Sequence, residues 1–224
     1  MYATITDNLT IELPEDYIQT LRLNKGDKVR CLLEGDTIKM VPDVSPDEKV
    51  MFRCFGQFTI EYKETYLHLR IKKSREILAL LLMERGRPLG KQRIAEMLWA
   101  DSESPRALDC FYKAVRGIAE AAEFYGVPLP IRSNSGAVWL DMRRVDSDVI
   151  SFDEFCKKGD IASYREAASL YTAPFLSKEL YDWTSEWQAY YDVRYLSIIQ
   201  RLIEYYQEKD PHLAHYYRKV QYRV

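Results

Sequence analysis

The chain has 224 residues, 47% of them hydrophobic, and a formal net charge of −2. That length suits two or three small domains, and that hydrophobic share supports packed cores and excludes a wholly disordered chain. No run reaches the ~18 apolar residues a membrane helix needs, and residues 1–13 have neither the charged nor the apolar stretch of a secretion signal.

The four cysteines, Cys31, Cys54, Cys110 and Cys156, are far apart. No pair has metal-ligand spacing, and no disulfide framework is suggested. Reduced thiols in a cytoplasmic protein are the expectation. The charge is unevenly placed. Residues 1–43 carry 5 Lys and Arg against 8 Asp and Glu, net −3. Residues 51–145 carry 16 against 11, net +5, and residues 146–224 carry 10 against 13, net −3. One basic segment between two acidic ones points to a polyanionic partner for the basic part.

Residues 3–13 alternate loosely and are rich in Thr and Ile, which predicts a strand. Pro14, Glu15 and Asp16 open a helical turn through Leu21. Gly26 supplies a tight turn. Lys28–Leu33 and Thr37–Val41 read as two strands joined by Glu34-Gly35-Asp36. About 43 residues are near the limit for an independent core, and oligomerisation would supply the missing buried surface. Residues 44–50, with Pro46 and with Pro42 just before them, read as a linker.

Phe52–Ile60 reads as a strand with Gly56 as a bulge, Glu61–Thr65 as a turn and Tyr66–Ile71 as a second strand. Ser74 is the expected N-cap of a helix rich in Ile and Leu that stops at Glu84-Arg85-Gly86. A second helix runs from Gly90 or Lys91 to Trp99. Ser104 caps a third, with Pro105 in its first turn. On that helix Ala107, Leu108, Phe111, Val115, Ile118 and Ala122 form one apolar face. The other face holds Arg106, Asp109, Lys113, Arg116, Gly117 and Glu120. Ile131–Leu140 reads as a hairpin turning at Asn134–Gly136.

Beyond it, Ser151 and Asp153 are candidate caps, and helical patterns cover Ile161–Tyr171, Trp183–Glu208 and Pro211–Val220. Pro174 breaks the chain between the first two of these. The aromatic group Tyr190, Tyr191, Tyr195, Tyr205, Tyr206, Tyr216 and Tyr217 reads mainly as core and partly buried positions.

Three resemblances follow from these residues. Leu9–Glu15, Leu21–Val29 and Glu34–Met40 resemble the swapped-hairpin AbrB/MazE-like family, which implies an intertwined dimer through residues 1–43. The acidic residues Asp7, Glu12, Glu15 and Asp16 favour dimerisation over DNA contact there, since phosphate binding needs positive charge. Phe55-Gly56, Arg75–Leu82, Leu89–Trp99, Ala107-Leu108, Val115-Arg116 and Ile131–Ser133, with Gly136 and Trp139, resemble the OmpR-type winged helix of bacterial SARP-type activators. That places a DNA-binding domain at residues 51–144. Val145-Asp146, Phe152–Phe155, Gly159-Asp160, Ala167–Leu176, Trp183, Trp187 and Arg194–Leu196 resemble the bacterial transcriptional activation domain of the same regulators, placed at residues 145–224. That domain is a stack of helix pairs like tetratricopeptide repeats, and it presents a protein-binding groove.

The fold class expected is therefore α+β and multidomain: a small β-barrel, a winged helix and a helical domain. Double-stranded DNA is the expected partner, read by Arg106, Asp109, Lys113 and Arg116 on the third helix and by Arg132, Ser133 and Asn134 on the wing. Lys91 and Arg93 lie where phosphate contacts are expected, and Lys72, Lys73 and Arg87 are further basic positions of that kind. RNA polymerase or a regulatory protein is the expected partner of residues 145–224. The alternative is a protein-interaction adaptor whose winged helix has weakened or lost DNA binding, since Gly117, Glu120, Glu123 and Ser135 reduce the basic character of the reading surface.

No enzyme, cofactor or metal reading arises. Gly86–Lys91 falls one residue short of a phosphate-binding loop, contains Pro88 and lacks the following Ser or Thr. His212 and His215 share a helix face without a third ligand.

Overall fold

The computed structural model describes residues 4–5, 7, 10–20, 23, 28–43, 48–102 and 104–223. The architecture is mixed α/β and divides into two compact units, Met1–Glu48 and Lys49–Val224. The expected turn at Gly26 and linker residues 44–47 lie outside the described residues.

The expected strand over residues 3–13 is instead two short strands. Strand β1 (Thr4–Ile5) pairs antiparallel with β2 (Ile11–Glu12), with Asp7 in a turn between them. Helix α1 (Glu15–Thr20) follows Pro14. Strands β3 (Lys28–Glu34) and β4 (Thr37–Asp43) form a seven-pair antiparallel hairpin closed by Gly35 and Asp36, with Gly35 at φ 62°. Glycine adopts that left-handed backbone without steric cost. Among the residues of this unit whose burial is described none is buried, and Leu33 and Ile38, paired directly across the hairpin, are exposed at 76% and 59%.

In the second unit, β5 (Val50–Arg53) and β6 (Thr59–Tyr62) pair antiparallel, and β7 (Thr65–Tyr66) pairs with β6. The expected single strand Phe52–Ile60 is thus a hairpin. The chain reverses through Gly56, whose φ of 93° disfavours any other residue. Val50, expected in the linker, is fully buried at the start of β5. The second strand is shorter than expected, and Lys63 and Glu64 make the turn before it.

Helix α2 (Lys72–Met83) is buried along nearly its whole length after the first turn. Ser74 does not cap it. Ile71 occupies the N-cap, and the buried Ser74 hydroxyl donates to the carbonyl of Ala114, 3.1 Å away. Strand β8 (Leu89–Gly90), helix α3 (Lys91–Leu98) and helix α4 (Ser104–Tyr125) follow. Strands β9 (Ile131–Ser133) and β10 (Ala137–Leu140) form the expected hairpin, and β8 adds to β10, giving the order β8-β10-β9.

Strand β11 (Val145–Ser147) then returns to the first sheet and runs parallel to β5, in the order β11-β5-β6-β7. Helix α5 (Asp148–Lys158) begins directly after it, with Ser147, and not Ser151 or Asp153, at the N-cap position. Helices α6 (Ile161–Leu170), α7 (Ser185–Lys209) and α8 (Pro211–Val220) pack successively on one another. Asp160 and Asp210 cap α6 and α8 by accepting amides of their first turns.

The boundary expected between residues 144 and 145 does not separate two compact units. The segment Thr172–Lys178 clasps the Gly56 turn. Gly56 donates its amide to Pro174 at 3.1 Å, Leu176 donates to Cys54 at 2.7 Å, and the Thr172 hydroxyl donates to the carbonyl of Phe55 at 3.1 Å. The Phe55 ring lies within 5.4 Å of the rings of Phe152, Tyr171 and Tyr191. Burying such aromatic surface dominates core energetics, so one core joins what the sequence reads as two domains. The tyrosines divide accordingly: Tyr191, Tyr195 and Tyr217 are core, whereas Tyr190, Tyr205 and Tyr216 are exposed.

Candidate nucleic-acid interface

Helix α4 buries Ala107, Phe111, Ala114 and Ile118 at spacings of three and four, which turns the opposite stripe to solvent. Arg106, Asp109, Lys113 and Arg116 are all exposed on that stripe, and Glu120 and Glu123 continue it toward the C-terminus. Side chains at these spacings are neighbours on one helix surface and present a continuous row to a partner.

The β9–β10 hairpin stands beside this row. Its tip is shaped by Asn134, whose side-chain oxygen accepts the amides of Gly136 at 3.0 Å and Ala137 at 2.8 Å. Asn134 is therefore the builder of the turn, a role its side chain fills by bonding backbone two and three residues on. Lys91 at the start of α3 connects tip and helix. Its Nζ donates to the carbonyl of Asn134 at 2.6 Å, its amide donates to Gly136 at 3.0 Å, and its ammonium lies 5.9 Å from the ring centroid of Tyr112 on α4.

The other expected residues fall as follows. Arg132 on β9 is half-buried and reaches Asp141, 3.6 Å away. Ser133 and Arg93 are exposed. Asp141 is buried but ionised. Burial alone would raise its pKa, but the Arg143 guanidinium, bonded at 2.9 and 2.6 Å, and the charge of Arg132 hold it below the usual carboxylate range. Of the further basic positions, Lys73 pairs with Glu76 at 2.9 Å, Arg87 pairs with Glu84 at 3.2 Å, and Lys72 lies 5.5 Å from the ring centroid of Tyr181. These cations serve local contacts.

The structure thus brings Arg106, Asp109, Lys113 and Arg116 together, with Lys91 and Asn134 at one edge of the row. Sequence reasoning passed over Tyr112. It lies three residues after Asp109 and four before Arg116, so the helical period that grouped the charged residues contains it as well. It was missed because an aromatic residue reads as core, whereas it is 47% exposed.

The α+β architecture of this chain has a likeness among solved structures. Mycobacterium tuberculosis EmbR, solved in complex with a low-affinity phosphopeptide, superposes with a TM-score of 0.53 at 14% sequence identity. The similarity covers 78% of this chain and 56% of that chain, so this chain spans about half the length of EmbR. At that identity the likeness is one of fold. No family model matches the sequence, and no curated protein matches it. Among the described residues no helix is long and apolar enough to cross a membrane.

Proposed function

We propose that this chain is a DNA-binding transcriptional regulator that grips duplex DNA as a dimer, with residues 51–144 acting as a winged helix. The observation that carries this reading is the exposed row Arg106, Asp109, Lys113 and Arg116 on a 22-residue helix, flanked by a hairpin. A helix of this kind fits the ~12 Å major groove, and the adjacent hairpin then reaches the neighbouring phosphates or minor groove. Arg106, Lys113 and Arg116 supply base and phosphate contacts, and Asp109 suits a cytosine amino group. Arg93 and Ser133 face the backbone side, whereas Lys91, Asn134 and Arg132 act mainly by holding the hairpin. The fold likeness to EmbR supports the architecture this reading assumes.

The exposed Leu33 and Ile38 support dimerisation through residues 1–43, because a unit in which none of the residues with described burial is buried gains core from a second chain. The helices α5 to α8 then carry contacts to RNA polymerase or to a regulatory protein, as in an activator. An adaptor without DNA binding is the second reading, favoured by the exposure of Glu120 and Glu123 on the same helix stripe.

A salt series on random duplexes separates the two. Contacts to about six phosphates lose on the order of 10³ in affinity between about 50 and 200 mM salt. Absence of any duplex binding at about 50 mM salt favours the adaptor. The double variant Lys113→Ala and Arg116→Ala weakens binding, and unchanged affinity would move the contact off α4.

A further inference from the structure

We infer that Tyr112 gives this surface part of its sequence specificity, by packing its ring against the C5-methyl group of a thymine in the major groove. The inference rests on the DNA-binding reading above and adds a named base feature to it.

Tyr112 sits among Arg106, Asp109, Lys113 and Arg116 on the outward stripe of α4, and nearly half of it is open to solvent. Those four side chains are suited to phosphates and to polar base edges. None of them is suited to an apolar target. The major groove offers one apolar base feature, the thymine methyl, and side chains that contact it are apolar or aromatic. A tyrosine ring meets that requirement, and its hydroxyl stays wet.

The ring is also held in place. The ammonium of Lys91 lies 5.9 Å from its centroid, and that ammonium is itself fixed by the carbonyl of Asn134 at 2.6 Å. A cation over a tyrosine face is attracted by the ring quadrupole. The amide of Lys91 is tied to Gly136 as well. Tyr112 is therefore fixed at the edge of the row nearest the hairpin, with its conformational entropy partly lost before any partner arrives. Binding by a preordered side chain costs less than binding by a free one. The contacted thymine accordingly lies at the end of the half-site nearest the groove that receives the hairpin.

The test uses the full chain and a duplex selected from a random pool. Each thymine is replaced in turn by deoxyuridine, which removes the methyl and nothing else. One replacement in each half-site is expected to weaken binding about four-fold, the worth of one buried methyl group. Tyr112→Ala binds the thymine and deoxyuridine duplexes equally, with the salt slope of the wild type, because no phosphate contact is lost. Tyr112→Phe keeps the discrimination. A Tyr112→Ala variant that still distinguishes the two duplexes, or a wild type indifferent to every replacement, overturns the inference and leaves DNA binding standing. Failure of the wild type to bind any duplex at about 50 mM salt overturns the DNA reading and this inference together.

Discussion

The carboxylate of Asp148 accepts the backbone amide of Cys54 with both oxygens, at 2.9 and 2.8 Å, across 94 residues of sequence. The same carboxylate accepts the amides of Phe55 at 2.9 Å and Val149 at 2.8 Å. Asp148 is buried at the start of α5, so it joins the end of β5 to the helical stack. A buried amide left without an acceptor costs about 1–3 kcal/mol. Asp148→Ala removes the acceptor of all three amides and is expected to cost about 3 kcal/mol or more, read from urea unfolding midpoints. Asp148→Asn keeps one oxygen and turns an amino group toward a donor, and it falls between the two. An alanine variant within about 0.5 kcal/mol of the wild type, the range of ordinary surface substitutions, would remove Asp148 from this role.

The same joint predicts the behaviour of fragments. A fragment of residues 51–144 lacks β11, which pairs with β5, and lacks Phe152, Tyr171 and Tyr191, which cover Phe55. Its β5 edge and its Phe55 face would both be open to water. The expected result is poor cooperativity and dye binding typical of exposed apolar surface, whereas residues 49–224 unfold in one transition. A sharp unfolding transition of the shorter fragment, at the midpoint of the longer one, would restore the boundary at 144.

The helices and the β9–β10 hairpin were legible because each carries a strong period or a turn signal, as in Ala107, Phe111 and Ile118 or Asn134 to Gly136. Strand β11 was not, because three residues carry no period of their own and the parallel partner lies 95 positions away at Val50. The Gly56 reversal reads as a bulge from sequence for a related reason. A glycine within alternating residues signals either event, and its clasp by Pro174 and Leu176 is invisible locally. The charged row on α4 was readable from spacing, but the Lys91–Asn134 contact that fixes its edge depends on the fold.

Asp141 gives the unit a defined acid response. Its folded pKa is depressed, despite burial, mainly by Arg143 and then by Arg132. A depressed carboxylate stabilises the folded state above its unfolded pKa, and that share is lost as pH falls through the folded value. Asp148 runs the other way. Burial is its leading influence and raises its pKa, so its own share diminishes as pH rises through its folded value. The Asp141→Asn variant is thus expected to be less stable than wild type near neutrality, and the difference narrows steadily below about pH 4. Urea midpoints measured between neutrality and pH 3 follow this, and a gap that stays constant over that range would sink the assignment.

Leu33 and Ile38 make the dimer testable in the intact chain. They pair across the β3–β4 hairpin and are largely exposed, on a unit in which none of the residues with described burial is buried. Burying such a side chain contributes roughly 1.5–3 kcal/mol, and a two-fold contact buries each of them twice. Leu33→Asp replaces that gain with a charge that must be desolvated and that faces its own symmetry mate. The full chain is expected to sediment as a dimer at micromolar concentration and the variant as a monomer. DNA affinity should fall with it, because two linked half-sites bind far more tightly than one. A Leu33→Asp chain of unchanged mass would place the contact on another surface, and a monomeric wild type would leave α4 to bind DNA alone.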